Sequence, residues 1–146
     1  EAFVARVRDL RPDAVFGADI IAGFPTETDA AFANSVSLVG TCGLTWLHVF
    51  PYSERPGTPA AKMPQLPGDV RKARAAELRA AGAAQVTLFL DAQIGATADV
   101  LVEKERQGRS PHFANVRFDG AVADGDIVAA RIIGRDNDIL IAQKAA

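Results

Sequence analysis

The sequence predicts an α/β segment followed by a small all-β domain. Two apolar strand patterns, at 14–22 and 45–52, each run into a loop rich in glycine or proline and then toward a helix. Two such units in succession are typical of a parallel α/β fold with ligand groups at the carboxyl ends of its strands. After residue 96 the pattern changes to short β runs separated by turn residues, which favours a small antiparallel barrel.

The first strand has two unlike faces. Period-two geometry places Phe16, Ala18, Ile20 and Ala22 on one side and Gly17, Asp19, Ile21 and Gly23 on the other. The first set is apolar and the second is small, polar or mixed. In a barrel, we expect the apolar set to meet the helices and the mixed set to face the interior.

Three helices are predicted around the two strands. Residues 2–10 have helical apolar spacing, and Thr26 or Thr28 can cap a second helix over about 28–41. The second strand places its aromatic residues and His48 on one face and Leu47 and Val49 on the other. Proline and glycine exclude regular structure over most of 53–68, and a long helix follows at 69–94.

The β-rich tail is predicted to begin at residue 97. Its strand candidates are 100–102, 114–118, 127–133 and 139–141, with turn residues at Gly108, Asp119-Gly120, Asp124-Gly125 and Asp136-Asn137. We therefore predict two domains, residues 1–96 and residues 97–146.

Composition narrows the classes of protein. The chain has 146 residues, 49% hydrophobic and 23% charged, which is ordinary for a folded domain. A net charge of −2 means that an RNA-binding surface must be a local patch. No apolar run approaches the ~20 residues of a membrane span. The single Cys42 cannot form an internal disulfide, which fits a cytoplasmic location. The first residue is Glu, so we expect the chain to begin inside a longer protein.

Two regions of the α/β segment are candidate ligand sites. Asp19, Ile21 and Gly23 lie on one wall of a predicted pocket, although Gly23 also suits an ordinary strand-to-helix turn. Arg55 follows the second strand and is stiffened by Pro56, so its planar guanidinium suits a phosphate or carboxylate. An exposed Arg55 paired with Glu54 or Glu27 is equally compatible with the residues.

Metal and nucleophile chemistry receive no support from the residue pattern. His48 has only His112 as a second imidazole, and we interpret it as a structural histidine. Cys42 lacks neighbouring partners and is interpreted as an inert thiol. No residue of this chain is predicted to be catalytic or to bind a metal.

Basic residues of the tail form a candidate RNA surface. Lys104, Arg106 and Arg109 cluster around one turn beside His112 and Phe113, and Arg117 follows. Phosphate attraction combined with base stacking suits RNA. A solvated surface of mixed charge is the alternative, because acidic residues offset the basic ones across the domain.

Two segments resemble the radical S-adenosylmethionine methylthiotransferases that modify tRNA. Asp19-Ile-Ile-Ala-Gly-Phe-Pro-Thr-Glu-Thr28 resembles the fifth strand and turn of the family's TIM-like barrel. Leu47-His-Val-Phe-Pro-Tyr-Ser-Glu-Arg-Pro-Gly-Thr-Pro-Ala-Ala-Lys-Met63 resembles its sixth strand and loop. The tail at 97–143 is similar to the TRAM domain, an OB-like RNA-binding barrel. His-Val-Phe-Pro-Tyr-Ser resembles most the branch that acts on N6-threonylcarbamoyladenosine at position 37.

The resemblance implies cofactors that this chain cannot hold by itself. Family members use S-adenosylmethionine and two 4Fe–4S clusters, one of them bound by a Cys-x3-Cys-x2-Cys motif that is absent here. The resemblance implies that this chain keeps two parts of the family's binding sites. One is a pocket wall on the adenosine side, at Ile21, Gly23 and Phe50. The other is an RNA-binding surface at Arg55 and in the tail. The implied partners are a tRNA anticodon stem-loop and an amino-terminal part of the same polypeptide. The chain alone is expected to be inactive.

Four alternatives to the threonylcarbamoyladenosine branch stay open. The branch of the family that modifies a ribosomal protein ranks last, because its Arg-Pro-Gly-Thr match is poorer. The chain can be a stand-alone RNA-binding module with a non-catalytic α/β scaffold. It can belong to the branch that acts on isopentenyladenosine at position 37. It can also be a degenerate remnant without a ligand.

Overall fold

The computed structural model describes residues 1–145, which form four helical and seven strand segments. In chain order they are α1 (Ala2–Leu10), β1 (Phe16–Ala22), α2 (Asp29–Cys42), β2 (Leu44–Pro51), a 3₁₀ turn (Pro59–Lys62), α3 (Gly68–Gln93), β3 (Thr97–Lys104), β4 (Gln107–Arg109), β5 (Asn115–Phe118), β6 (Ile127–Asp136) and β7 (Ile139–Lys144). Contacts divide the chain into two compact units, Glu1–Gln85 and Val86–Ala146.

The first unit contains a two-stranded parallel sheet. β1 pairs with β2, and Ile21 lies opposite Phe50 in the register. Both strands therefore end at the same edge of the sheet. The expectation that the two strands are parallel neighbours is confirmed.

The core of the first unit lies on the face that the strand pattern assigned to it. Ala22, Leu44 and Val49 are buried together with residues of α2 and α3. Phe16, Ala18 and Ile20 pack against this cluster from β1. Leu78 of α3 is completely buried, and a burial of this size stabilises a fold by about 2 kcal/mol.

Local signals define both ends of α2. The Thr28 hydroxyl accepts a hydrogen bond from the Ala31 N–H at 3.1 Å. Gly43 ends the helix in the left-handed conformation, with φ of 58°. Of the two predicted caps, the structure uses Thr28, because Thr26 lies before the helix with a positive φ.

The second unit contains a closed five-stranded barrel in the order β3–β4–β5–β7–β6. Four neighbouring pairs are antiparallel, whereas β5 and β7 are parallel. The expected antiparallel barrel is thus a mixed one. Strand directions cannot alternate all the way round a closed ring with an odd number of members, so one pair must be parallel.

The extra strand is β4, which the sequence pattern missed. Gly108 was expected in a turn, but it pairs with Val102 on one side and Val116 on the other. The turn lies just before β4, at Glu105 and Arg106, which both have positive φ. A β-carbon at Gly108 would clash with the Leu101 carbonyl oxygen, so glycine is needed for close strand pairing.

The division between the units falls inside α3, whereas the first barrel strand begins at Thr97. The domain boundary at 96/97 stays a prediction. Among residues 1–145, no helix is long and apolar enough to cross a membrane.

Candidate functional site

An open cleft lies at the carboxyl ends of β1 and β2. Its volume is about 520 Å³. The lining residues are Ile21, Phe50, Pro51, Tyr52, Ser53, Arg55, Thr58 and Ala60. Three predicted site residues, Ile21, Phe50 and Arg55, therefore lie in one cleft of the first unit. Gly23, the other residue predicted for this pocket, is not among the lining residues.

The floor of the cleft is apolar. Ile21 and Phe50 are cross-strand neighbours, and about half of each residue is exposed. Exposing two large apolar side chains side by side is unfavourable for an isolated unit, and apolar walls with a few polar groups are typical of small-molecule sites. This pair presents a wall suited to a planar apolar group.

The loop that carries Arg55 is held by Thr58. The Thr58 hydroxyl donates to the Arg55 carbonyl oxygen at 2.9 Å, and the Thr58 N–H contacts the same oxygen at 3.2 Å. The hydroxyl also accepts from the Ala61 N–H at 3.3 Å, which caps the 3₁₀ turn. These bonds fix the backbone of the loop that places Arg55 in the cleft lining.

Tyr52 extends β2 into the cleft. Its N–H donates to the Ala22 carbonyl oxygen at 2.8 Å, and its ring meets Phe24 edge to face at 5.4 Å. The Tyr52 hydroxyl is buried and has no hydrogen-bond partner among residues 1–145. A buried phenol hydroxyl without a partner costs free energy, and the sequence pattern did not single out this group.

Gly23 has a packing role that differs from direct ligand approach. Its φ is 75°, and a β-carbon there would lie 2.6 Å from Cγ of Arg71. The Arg71 guanidinium in turn donates to the Tyr52 carbonyl oxygen at 3.1 Å. Glycine at position 23 thus lets α3 approach the end of β1 and support the residue beside the cleft.

A cluster of ion pairs around the buried Arg74 guanidinium anchors the loop after β1 to α3. The Arg74 guanidinium bonds the Glu27 carboxylate at 2.7 Å, the Glu27 carbonyl oxygen at 2.9 Å and the Asp29 carboxylate at 2.5 Å. The Arg74 side chain is only 8% exposed. Glu27 also accepts from the Gly23 N–H at 3.0 Å. Sequence reasoning missed this cluster, because more than forty positions separate Arg74 from Glu27 and Asp29.

The remaining candidates of the first unit lie away from the cleft lining. Asp19 and His48 face each other across the strand pair and are exposed, and the interpretation of His48 as a structural histidine stays a prediction. Cys42 is buried at the end of α2, as expected for an inert thiol. Among residues 1–145, no group of three or more His, Cys, Asp or Glu residues is placed to hold a metal ion.

The predicted RNA residues of the tail lie on the outside of the barrel. Arg109 of β4 and Arg117 of β5 alternate with buried Gly108 and Val116. Lys104 ends β3, and Arg106 lies in the β3–β4 turn.

Surface acids accompany three of these four cations. The pairs are Lys104 with Glu105 at 3.4 Å, Arg109 with Glu103 at 3.5 Å and Arg117 with Asp136 at 3.1 Å. Exposed pairs of this kind contribute about 0–1 kcal/mol, so a phosphate can displace the carboxylates.

Curated relatives match nearly the whole chain. The chain is 46% identical over 132 residues to the threonylcarbamoyladenosine tRNA methylthiotransferase MtaB of Rickettsia prowazekii. It is 39% and 38% identical to tRNA-2-methylthio-N(6)-dimethylallyladenosine synthases of Novosphingobium aromaticivorans and Erythrobacter litoralis. No protein-family model matches the chain.

These matches cover 88–90% of the chain but only 30–31% of the relatives. The chain spans about a third of the length of the enzymes it resembles. The similarity includes both segments that carried the resemblance, because they lie well inside so extensive a match. The chain is therefore homologous to one part of the radical S-adenosylmethionine methylthiotransferases.

Proposed function

We propose that the chain is the carboxyl-terminal part of a tRNA methylthiotransferase that adds a methylthio group to C2 of N6-threonylcarbamoyladenosine at position 37. The observation that carries this proposal is the 46% identity to the threonylcarbamoyladenosine enzyme, against 39% and 38% for the two dimethylallyladenosine synthases. The parallel β1–β2 pair then corresponds to the last strands of a TIM-like radical barrel, and the five-stranded barrel to a TRAM domain.

S-adenosylmethionine fits the cleft of the first unit in part. Ile21 and Phe50 supply an apolar wall for the adenine, and the Tyr52 residue lines the cleft beside them. Arg55 suits a carboxylate or phosphate at the rim. When bound, this cofactor supplies the methyl group and the radical precursor. Gly23 contributes to the site by letting Arg71 support Tyr52.

The two 4Fe–4S clusters do not fit this chain. Its one cysteine is buried at the end of α2, and no metal-binding group occurs among residues 1–145. We assign the clusters to the remainder of the full-length enzyme. The chain alone, after reconstitution with iron and sulfide, is accordingly expected to release no 5′-deoxyadenosine above background.

The barrel is proposed to bind the anticodon stem-loop through Lys104, Arg106, Arg109 and Arg117. Arg106 makes no ion pair with another residue of the described chain, so its charge is available to a phosphate. Binding through a few phosphates predicts an affinity that falls steeply with salt. A cytoplasmic location follows from a tRNA substrate.

A deletion strain tests the proposed substrate. The full-length coding sequence that contains this chain is expressed in a bacterium lacking its own methylthiotransferases, and nucleosides from its tRNA are measured by mass spectrometry. Restored 2-methylthio-N6-threonylcarbamoyladenosine supports the proposal, whereas a methylthiolated isopentenyladenosine assigns the other branch. If neither product forms and the protein still binds tRNA, the chain belongs to a non-catalytic RNA-binding module.

Cleft variants connect the activity to this part of the enzyme. Phe50→Asp in the full-length protein is expected to reduce the modified nucleoside by at least about tenfold, because it removes half of the apolar wall. Arg11→Gln is the matched control, since Arg11 is exposed and pairs only locally with Asp13. Equal activity of Phe50→Asp and the native enzyme would contradict a role for the cleft.

A further inference from the structure

An exposed phenylalanine projects from the second unit between β4 and β5. Phe113 is 72% exposed, although phenylalanine is among the residues that gain most from burial. Its φ is 65°, in the left-handed region that bulky side chains disfavour. Glycine or asparagine would adopt this backbone at lower cost. Neither core packing nor backbone preference therefore explains phenylalanine at this position.

The turn around Phe113 is built by Ser110. The Phe113 N–H donates to the Ser110 carbonyl oxygen, and the Ser110 N–H donates to the Ala114 carbonyl oxygen, both at 3.0 Å. The buried Ser110 hydroxyl accepts from the Ala114 N–H at 3.2 Å. Three hydrogen bonds thus close a short loop and fix the direction in which the Phe113 side chain leaves the backbone.

The neighbours of Phe113 anchor the turn and bring a cation to it. The His112 ring meets Phe89 edge to face at 5.9 Å within the same unit. The Arg109 guanidinium donates to the Phe113 carbonyl oxygen at 3.3 Å. An exposed ring and a cation therefore lie at the same turn, joined by a hydrogen bond from the Arg109 side chain to the Phe113 backbone.

This combination suits an unpaired nucleobase. Single-stranded RNA stacks its bases on aromatic side chains while arginine attracts the phosphates, and such stacking tolerates many sequences. Bases in a duplex have their faces covered by neighbouring base pairs and cannot stack in this way. A loop or single strand is therefore the ligand chemistry that the turn matches.

We propose that Phe113 is the stacking platform for one unpaired base, with Arg109 at the adjacent phosphate. The inference rests on the proposed RNA-binding function of the barrel and adds to it the residue that distinguishes looped from paired RNA. The ring pre-exists in its exposed position, so binding does not have to order the turn first.

Substitution by asparagine tests the proposal in the full 146-residue chain. Phe113→Asn removes the ring but tolerates the left-handed backbone, so the thermal midpoint should stay the same or rise. Affinity for a single-stranded oligoadenylate, measured by fluorescence anisotropy at low salt, should fall about tenfold. Affinity for a paired RNA duplex should change less than twofold, and Phe113→Trp should retain binding of the oligoadenylate.

Two control variants separate stacking from charge and from general loss of apolar surface. Phe3→Asn removes a ring that is 74% exposed in the first unit and should leave both affinities unchanged. Lys104→Gln should reduce the slope of log affinity against log salt by about one, whereas Phe113→Asn should leave that slope unchanged.

The outcomes distinguish this inference from the proposed function. If the native chain binds oligoadenylate and Phe113→Asn binds it equally well, the stacking role is overturned and RNA binding stands. If the native chain binds neither RNA, the RNA-binding function and the stacking role are both overturned. A Phe113→Asn chain with a lowered thermal midpoint and equal losses for both RNAs shows a structural role and overturns the inference.

Discussion

At the scale of single residues, Arg74 is the cation that organises the loop after β1. Its buried guanidinium satisfies the Glu27 carboxylate, which in turn accepts the Gly23 N–H at the end of the strand. Neighbouring Phe32 covers the guanidinium, with 5.1 Å between Cζ and the ring centroid. The loop that precedes α2 is thus held by charge and hydrogen bonding as well as by apolar packing.

Removing this guanidinium should destabilise the first unit strongly. Arg74→Met is expected to lower the free energy of unfolding by about 3 kcal/mol, because it leaves the Glu27 carboxylate buried without its cation. Urea unfolding followed by circular dichroism measures the loss. Arg11→Met is the control, and its exposed pair with Asp13 should contribute less than about 0.5 kcal/mol. Equal effects of the two variants would contradict the assignment of Arg74 as a buried anchor.

At the scale of elements, β4 depends on a glycine between two close neighbours. Gly108 sits between β3 and β5, and an added methyl group would meet the Leu101 carbonyl oxygen. A backbone oxygen cannot move away as a flexible side chain can. The barrel therefore requires glycine where the sequence pattern suggested only a turn.

Gly108→Ala should destabilise the barrel. We expect the free energy of unfolding to fall by about 2 kcal/mol, since the strands must separate to accept the methyl group. Gly134→Ala in β6 is the matched control, because a β-carbon there meets no atom within 4 Å. The control should be neutral or stabilising by less than about 1 kcal/mol. Thermal melts of both variants measure the difference in stability. A neutral Gly108→Ala would show that close pairing of β4 with β3 does not require glycine.

An ion pair connects the last turn of α3 to β6 within the second unit. The Arg135 guanidinium bonds both Asp91 carboxylate oxygens, at 2.5 and 3.4 Å. This hydrogen bonding lowers the pKa of Asp91 below its ordinary value. The carboxylate form is therefore favoured by folding.

The sign of the resulting pH dependence follows from that shift. A depressed pKa contributes stability above the ordinary pKa of an aspartate, and the contribution disappears as the pH falls through the lowered value. Unfolding midpoints in urea between pH 7 and pH 2 should therefore fall less steeply for Asp91→Asn than for the native chain. Arg135→Gln should remove the same pH-dependent contribution to stability. If both variants keep the native pH profile, the Asp91–Arg135 pair does not cause that contribution.

At the scale of the whole molecule, the first unit has the features of an incomplete sheet. Its two parallel strands have unpaired outer edges within residues 1–145, and Ile21 and Phe50 are exposed at the cleft. Unpaired edges and exposed apolar side chains promote association. In the proposed full-length enzyme, further strands of the barrel would pair with these open edges.

The isolated chain should therefore associate with itself. Light scattering after size exclusion is expected to give a mass that rises with protein concentration, and Ile21→Lys should reduce the rise by placing a charge on the exposed face. Phe3→Lys serves as the control, because Phe3 is exposed on α1 and belongs to neither strand. A monomer at every concentration, with one cooperative melt, would show that the first unit is stable without additional strands.

Local patterns predicted most of the elements, and the exceptions have physical causes. The strands, α2 and α3 were found within a few residues, because their apolar periodicity and caps are local signals. β4 was missed because three residues with glycine at the centre carry no periodicity. The family resemblance assigned Ile21 and Phe50 to one pocket wall, and the structure places them opposite each other on two parallel strands. Arg55 was predicted separately, as a phosphate or carboxylate contact, and only the structure places it in the same cleft. The burial of the Tyr52 hydroxyl and the ion pairs of Arg74 could not be predicted, because they depend on contacts far along the chain.

The sequence by itself determined that an α/β segment precedes a β-rich segment, and it determined the family resemblance. Both depend on neighbouring residues and short motifs. Tertiary structure alone decided the parallel β5–β7 pair, the buried cluster around Arg74, the unpartnered hydroxyl of Tyr52 and the exposed ring of Phe113. Each of these depends on which distant segments meet and on the space that remains between them. That information arises only when loops close and side chains compete for the same volume.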